Sequence, residues 1–422
     1  MRSVLDNTMD ALRRAGRDGE VFLSLLPDRA RAEAHQSDGR TERLGPLDGS
    51  TVSWKDMIAI KDVTATSGSL LRRDDAPACA DAEVVRRASQ AGLVSIGVTN
   101  QSELAFSGIG YNPHYGTPMI EGRVPGGSSS GAAASVARGI TRLAVGTDTA
   151  GSCRVPAAFQ GVVGFRPTRG RYPMSGVMPL APSYDTVGSF ASSVADIMKL
   201  DAILSGDAAI PDAVGRLSVA IDVLDGGGVA VPVFQRCKEL VTGLKQAGFL
   251  MEYPRQTPLD TALRLISAGG WPGGFKAVRT YGHLLEGADA DLLDPFVEAR
   301  LRASASLDAR RIAGVELGAR ELRGTVRDTD TIYLLPTVAI EAPRLAPLLE
   351  NPDAFAAANA AALRLTMPAS LLDLPAISLP AGKTSSGCWV GLQLVGPPDS
   401  DRTLLATAAM VETLLMRKEA LT

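Results

Sequence analysis

The chain has 422 residues, of which 45% are hydrophobic, and 43 Lys and Arg stand against 46 Asp and Glu. That apolar share supports a substantial core and excludes a disordered chain, while a net charge of −3 excludes a global pull towards nucleic acid or acidic membranes. No apolar run approaches the roughly 18 residues of a membrane span and the N-terminus has no signal-peptide core, so a cytoplasmic protein without membrane contact is expected.

The first predicted element is a helix in "SVLDNTMDALRRAG", where Ser3 and Asp6 are spaced as a capping box and Leu5, Met9 and Leu12 share one face. "DAEVVRRASQAG" predicts another, with Val84, Val85, Ala88 and Ala91 on one side and a stop at Gly92. "LVSIGV" follows as a short apolar strand, then "AAASVARG" as helix and "TRLAVG" as strand. Helical periodicity returns from Ser193 to Leu204, from Val233 to Ala247 and after Asp401. Further strands are predicted in "LSVAI" from Leu217, "IYLLP" from Ile332, "PAISLP" from Pro375 and "VGLQLV" from Val390. Such alternation predicts an α/β fold with a largely buried sheet. No linker, charge block or repeat divides the chain, so a single domain over 1–422 is expected. The cysteines (Cys79, Cys153, Cys237, Cys388) and histidines (His35, His114, His283) are scattered without metal-ligand spacing, which predicts buried free thiols, no metal and no cofactor.

The segment "GRVPGGSSSGAAASVARG" has the outline of a phosphate-binding turn before a helix. It lacks the lysine of G-x-x-x-x-G-K-[ST], and the chain's Gly382-Lys383-Thr384 has Ile377 where the first glycine belongs. A bare linker is disfavoured by the elements pressing in on both sides. A second segment, "GTDTAGSCRVPAAFQGVVGFRPTRG", places Ser152 in a tight loop after a strand, where successive backbone N–H groups can stabilise an oxyanion. A serine nucleophile needs a base. Only His114 lies near these loops in sequence, and a lysine made neutral by burial is the other option. "LDGSTVSWKDMIAIKDV" offers Lys55 and Lys61.

Taken together, "GSTVSWKD", "PGGSSSG" and "GTDTAGSCRVPAAFQGVVG" resemble the amidase signature family of serine hydrolases, with "NPHYGTP" and "GLQLVG" as further family-like stretches. The likeness is strong over 45–206, weak over 207–330 where substrate-specific segments differ, and preceded by a helical segment, 1–44. It implies a mixed twisted β-sheet covered by helices on both faces, and a Lys–Ser–Ser triad acting on a carboxamide without cofactor. Carried over, the nucleophile is Ser152, the bridging serine is Ser128, preceded by a cis peptide bond, and the base is Lys55. The family places a Gly-Ser pair thirteen and fourteen residues beyond its lysine, and Gly68-Ser69 stand there relative to Lys55, not Lys61. Thr149, Ala150, Gly151 and Ser152 would supply the oxyanion N–H groups. Ala150 departs from the two glycines common before the nucleophile, and is strained if the position needs φ > 0.

Ser129 and Ser130 read as helix-start residues, with Ser130 a second candidate to orient the lysine. Ala105, Phe106 and Ser107 are substrate-site candidates. Arg154 could bind a substrate carboxylate, although pinning the loop through Asp148 is the favoured role. "GGWPGGF" from Gly269 is either a pocket loop or a turn, and Cys153 is expected to be structural. The expected partner is a small-molecule amide, with a homodimer compatible with the family. Rival readings are a catalytically degenerate scaffold and a glutamine-hydrolysing component of an amidotransferase complex.

Overall fold

The strand predicted in "TRLAVG" spans Leu143–Asp148 and is buried at every position. Side chains alternate across a strand. Here Leu143 and Val145 join one core with Val84, Val85 and Ile197, while Ala144 joins another with Ala132, Ala133 and Ala157. Helices Glu83–Gln90 and Val194–Ser205 therefore cover one face, and Ser130–Ala137 and Arg154–Gln160 the other.

The computed structural model describes residues 2–208, 216–219, 228–287, 289–327 and 329–419. Among them the strands are β1 (Phe22–Leu25), β2 (Thr51–Lys55), β3 (Val94–Thr99), β4 (Leu143–Asp148), β5 (Val163–Arg166), β6 (Thr186–Ala191), β7 (Arg216–Val219), β8 (Leu250–Glu252), β9 (Ile332–Pro336), β10 (Ala376–Lys383) and β11 (Trp389–Val395). They form one sheet in the order β1-β3-β2-β4-β6-β5-β10-β11-β9-β7-β8. β2 runs parallel to β3 and β4, and β7 parallel to β8 and β9; the remaining pairs are antiparallel. The mixed sheet with helices on both faces is the expected α/β architecture. Ala220 and Ile221, the end of the predicted "LSVAI" strand, lie outside the described residues.

Several expectations are corrected. The first helix, Val4–Arg17, has the capping box at Ser3 and Asp6, but buries Val4, Thr8, Ala11, Leu12 and Ala15. Leu5 and Met9 are partly buried and pack against the same core as Leu12, on the expected face but at the edge of the buried stripe. Cys79 is exposed, whereas Cys153, Cys237 and Cys388 are buried free thiols. Short strands β1, β2, β5, β6 and β8 and the helices between 258 and 327 had no predicted counterpart. Among the described residues no helix is long and apolar enough to cross a membrane.

Candidate active site

β2 lies between β3 and β4, and its last residue, Lys55, is fully buried. Lys55 Nζ is 2.6 Å from Ser128 Oγ and 2.8 Å from Thr147 Oγ1, which sits one residue before the end of β4. Burial lowers the lysine pKa to about 8, against the opposing pull of Asp148, Asp185 and Asp56. The neighbouring Asp56 accepts from Thr66 N at 3.1 Å, from Gly68 N at 2.8 Å and from the Thr66 hydroxyl, so the Gly68-Ser69 pair is tied to the lysine's own segment. Burial raises the Asp56 carboxyl to about 6 despite those bonds. Lys61 is exposed, and its backbone N–H donates to Asp81.

Ser128 occupies the loop before the alanine-rich helix, and the Gly127–Ser128 peptide bond is cis. Gly127 N donates to Gly108 O at 2.8 Å and Ser102 N to Ser128 O at 3.0 Å, which fixes the loop from below. Small residues let the helix approach closely: a Cβ on Gly131 would stand 2.5 Å from Val21 O and 2.7 Å from Asn100 N. Ser129 then joins the two serine loops. Its N–H donates to Ser152 O at 3.3 Å, and its hydroxyl to Thr147 O at 3.2 Å. Ser130 does not touch the lysine; its Oγ is buried without a partner, and Thr147 takes the orienting position instead.

Ser152 is 6% exposed and lines a small cavity. The loop before it is held at each residue. Thr149 Oγ1 donates to Asp185 Oδ1 at 2.6 Å, and Ala150 O accepts from Thr366 Oγ1 at 2.6 Å. Gly151 has φ +141°, and a Cβ there would lie 2.1 Å from Thr366 Oγ1, so only glycine fits. Ala150 is not among the residues with positive φ, so its methyl brings no backbone strain. The backbone N–H groups of Thr149, Ala150, Gly151 and Ser152 have no acceptor among the described residues.

Arg154 as a substrate ligand is corrected. It is fully buried, and its five N–H groups go to Asp148, Thr366 O, Gln393 and Ser370. Nothing is left for a substrate. Asp148 feels burial, which would raise its pKa, but Arg154 and Arg166 override it and hold the carboxyl well below the usual range. Cys153 packs with Ala132, Ala133 and Phe190 on the far side, and burial pushes its thiol up.

The cavity is a narrow cleft of about 10 Å³, well below the ~300–1,000 Å³ of formed ligand sites. Ala105, Phe106 and Ser107 line it beside Thr149, Ala150 and Ser152. Leu104 and Ala105 have φ of +50° and +56°, a turn that presents this segment to the cavity. The opposite wall is Trp271, Gly273 and Arg300 from the weakly matched segment, so "GGWPGGF" is a pocket element. Arg300, Thr147 and Thr366 carried no assigned role in the sequence. Thr147 lies inside the quoted "GTDT", but only the register of β2 on β4 brings it to the lysine. Among the described residues no cluster of His, Cys, Asp and Glu could hold a metal.

Residues 4–405 match the family described as Amidase. The chain belongs to the amidase family. It is 34% identical over 415 residues to the 2-amino-5-chloromuconic acid deaminase of Comamonas testosteroni, across 93% of this chain and 88% of that protein. It is 32% identical to the mandelamide hydrolase of Pseudomonas putida, across 94% and 85%. One subunit of the glutamyl-tRNA(Gln) amidotransferase of a Synechococcus strain is 30% identical, across 97% and 92%. A solved structure described as an amidase superposes with a TM-score of 0.85 at 30% identity, covering 98% of this chain and 96% of the other. This amidase is an enzyme that hydrolyses linear amide C–N bonds.

Proposed function

We propose that the amidase cleaves a small carboxamide through a seryl acyl-enzyme, with Ser152 as nucleophile, Ser128 as proton relay and Lys55 as base. The observation that carries this reading is a buried lysine of lowered pKa, 2.6 Å from the hydroxyl of a serine whose loop is bonded to the nucleophile loop. Neutral Lys55 accepts the Ser128 proton while Ser128 accepts that of Ser152, whose oxygen bonds to the amide carbonyl carbon. The four open N–H groups of residues 149–152 receive the oxyanion. The proton then returns through the relay to the nitrogen, the C–N bond breaks and ammonia or an amine leaves. Water hydrolyses the acyl ester, releasing the acid and restoring Ser152. We assign the chemistry to 45–206 and substrate selection largely to 207–330, within one domain.

The test is labelling with a fluorophosphonate followed by peptide mass spectrometry. An adduct on Ser152, absent in Ser152→Ala together with amide hydrolysis, is expected. Labelling that persists elsewhere in Ser152→Ala would remove the assignment. A second reading, a glutamine-hydrolysing component that passes ammonia to partner proteins, is favoured by the likeness to the amidotransferase. It predicts glutaminase activity in the isolated chain.

A further inference from the structure

Arg300, partly buried, differs from the fully buried Arg154 and Arg166 around the site. It projects from the helix Pro295–Ala305 and lines the same cavity as Ser152. Its Nη1 donates to Phe106 O at 2.9 Å, and its guanidinium carbon lies 4.5 Å from the centre of the Phe106 ring. Those contacts occupy one of the five N–H groups of the fork. No carboxylate pairs with it among the described residues, in contrast to Arg154 and Arg166, which share Asp148. Burial alone lowers its pKa, to about 10, with no anion opposing the loss of water. A guanidinium still keeps its proton at neutral pH. The cavity is therefore lined by a partly buried cation with most of its donors unassigned, placed to receive an anion.

The remaining lining restricts what that anion belongs to. Ala105, Phe106, Leu180, Trp271 and Leu363 are apolar, and no aspartate or glutamate among the described residues lines the cavity. A substrate ammonium would find no counter-charge there.

We propose that Arg300 is the specificity-determining residue of this amidase and receives the carboxylate of a compact amide acid that carries no amine beside it. The proposal rests on the assignment of Ser152 as nucleophile. The planar fork of Arg300 matches a carboxylate in two parallel hydrogen bonds, and the substrate amide then reaches across the cavity to the 149–152 loop. Monoamides of short dicarboxylic acids have this form. Glutamine, with its α-ammonium, does not fit.

The test compares malonamate and succinamate with amides in which an isopropyl group replaces the carboxylate, and with glutamine, in wild type, Arg300→Met and Arg300→Lys. Wild type should favour the acids by about 10- to 100-fold in kcat/KM, the scale of a charge-assisted hydrogen-bonded pair. Arg300→Met should reduce that preference to within about threefold, mainly through KM for the acids, with the neutral amides nearly unchanged. Arg300→Lys should recover part of it. A purely structural arginine would instead lower turnover of acids and neutral amides alike. Malonate or succinate should also protect Ser152 from fluorophosphonate in wild type and not in Arg300→Met. If Ser152 labels but dicarboxylates give no protection and wild type treats both members of each pair equally, the Arg300 proposal fails and the hydrolase reading stands. If Ser152 neither labels nor is needed for hydrolysis, the underlying reading fails and takes this one with it. Glutamine turned over as fast as the acids would overturn the exclusion of an amine.

Discussion

Lys55 is buried beside two hydroxyls, Ser128 Oγ and Thr147 Oγ1, and makes no salt bridge among the described residues. Hydroxyls satisfy an amine in either protonation state, but they do not compensate a charge as a carboxylate would. The native pKa of about 8 lies below the ordinary 10.5. Between those values the unfolded chain holds the extra proton, so this group makes stability rise with pH across that window. Below it, Lys55 costs the fold about 3 kcal/mol. A base with that pKa predicts activity that climbs along a limb centred near pH 8. Lys55→Ala should lower turnover by on the order of 10³-fold or more, while exposed Lys61→Ala stays within about tenfold. Lys55→Met should unfold at a temperature no lower than wild type at pH 7, because it removes a penalty while losing activity. Kinetics across pH and melting curves followed by circular dichroism check these outcomes. An inactive Lys61→Ala beside an active Lys55→Ala would place the base on the other lysine.

The loop from Thr149 to Ser152 is an element whose shape is set by contacts outside it, at Asp185 and Thr366. Gly151→Ala would drive a methyl into Thr366 Oγ1 at a φ that suits glycine alone, and should reduce kcat by roughly 10²-fold with KM for small amides less affected. Trimming the neighbour in Gly151→Ala/Thr366→Ala should restore activity only in part, since the backbone conformation stays unfavourable. Ala150→Gly should stay within about tenfold, or roughly 1.4 kcal/mol of barrier, since Ala150 brings no strain. Full activity in Gly151→Ala would mean the loop is not held as described. Legibility at this scale followed length and pattern. β3, β4, β9, β10 and β11 are apolar runs bounded by turns, and were readable. β2 was not, because "TVSWK" ends on the buried lysine and mixes polar with apolar residues. The helices between 258 and 327 lie in the weakly matched segment, and the capping box at Thr257 and Asp260 that opens the first of them went unread.

Across the whole molecule, the candidate site draws on β2, the two serine loops, the 105–107 turn and helices beyond residue 270. The resemblance of three short, dense motifs to the amidase signature pointed to Lys55, Ser128 and Ser152. Arg300 was silent, since its contact with Phe106 spans 194 positions and no local pattern encodes it. Arg154 shows the opposite case, a residue inside a motif whose partners lie far along the chain. From the turn after β4 it reaches Thr366 and Ser370 beside the C-terminal strands and Gln393 on β11, while keeping both oxygens of Asp148. It therefore joins the signature segment to the C-terminal part of the sheet and holds the nucleophile loop between them. Arg154→Met would keep much of the volume but leave Asp148 with only Arg166 and the Cys153 N–H, and several polar atoms without donors. Removing one partner of a buried pair costs about 3–5 kcal/mol. Arg154→Met should accordingly show a much lower urea midpoint with an unchanged m-value, and kcat reduced for every amide alike. Double substitution with Asp148→Asn should be less destabilising than the sum of the single changes, because the stranded charge is gone. A normal midpoint in Arg154→Met, with KM raised only for carboxylate substrates, would instead return Arg154 to the role of substrate ligand.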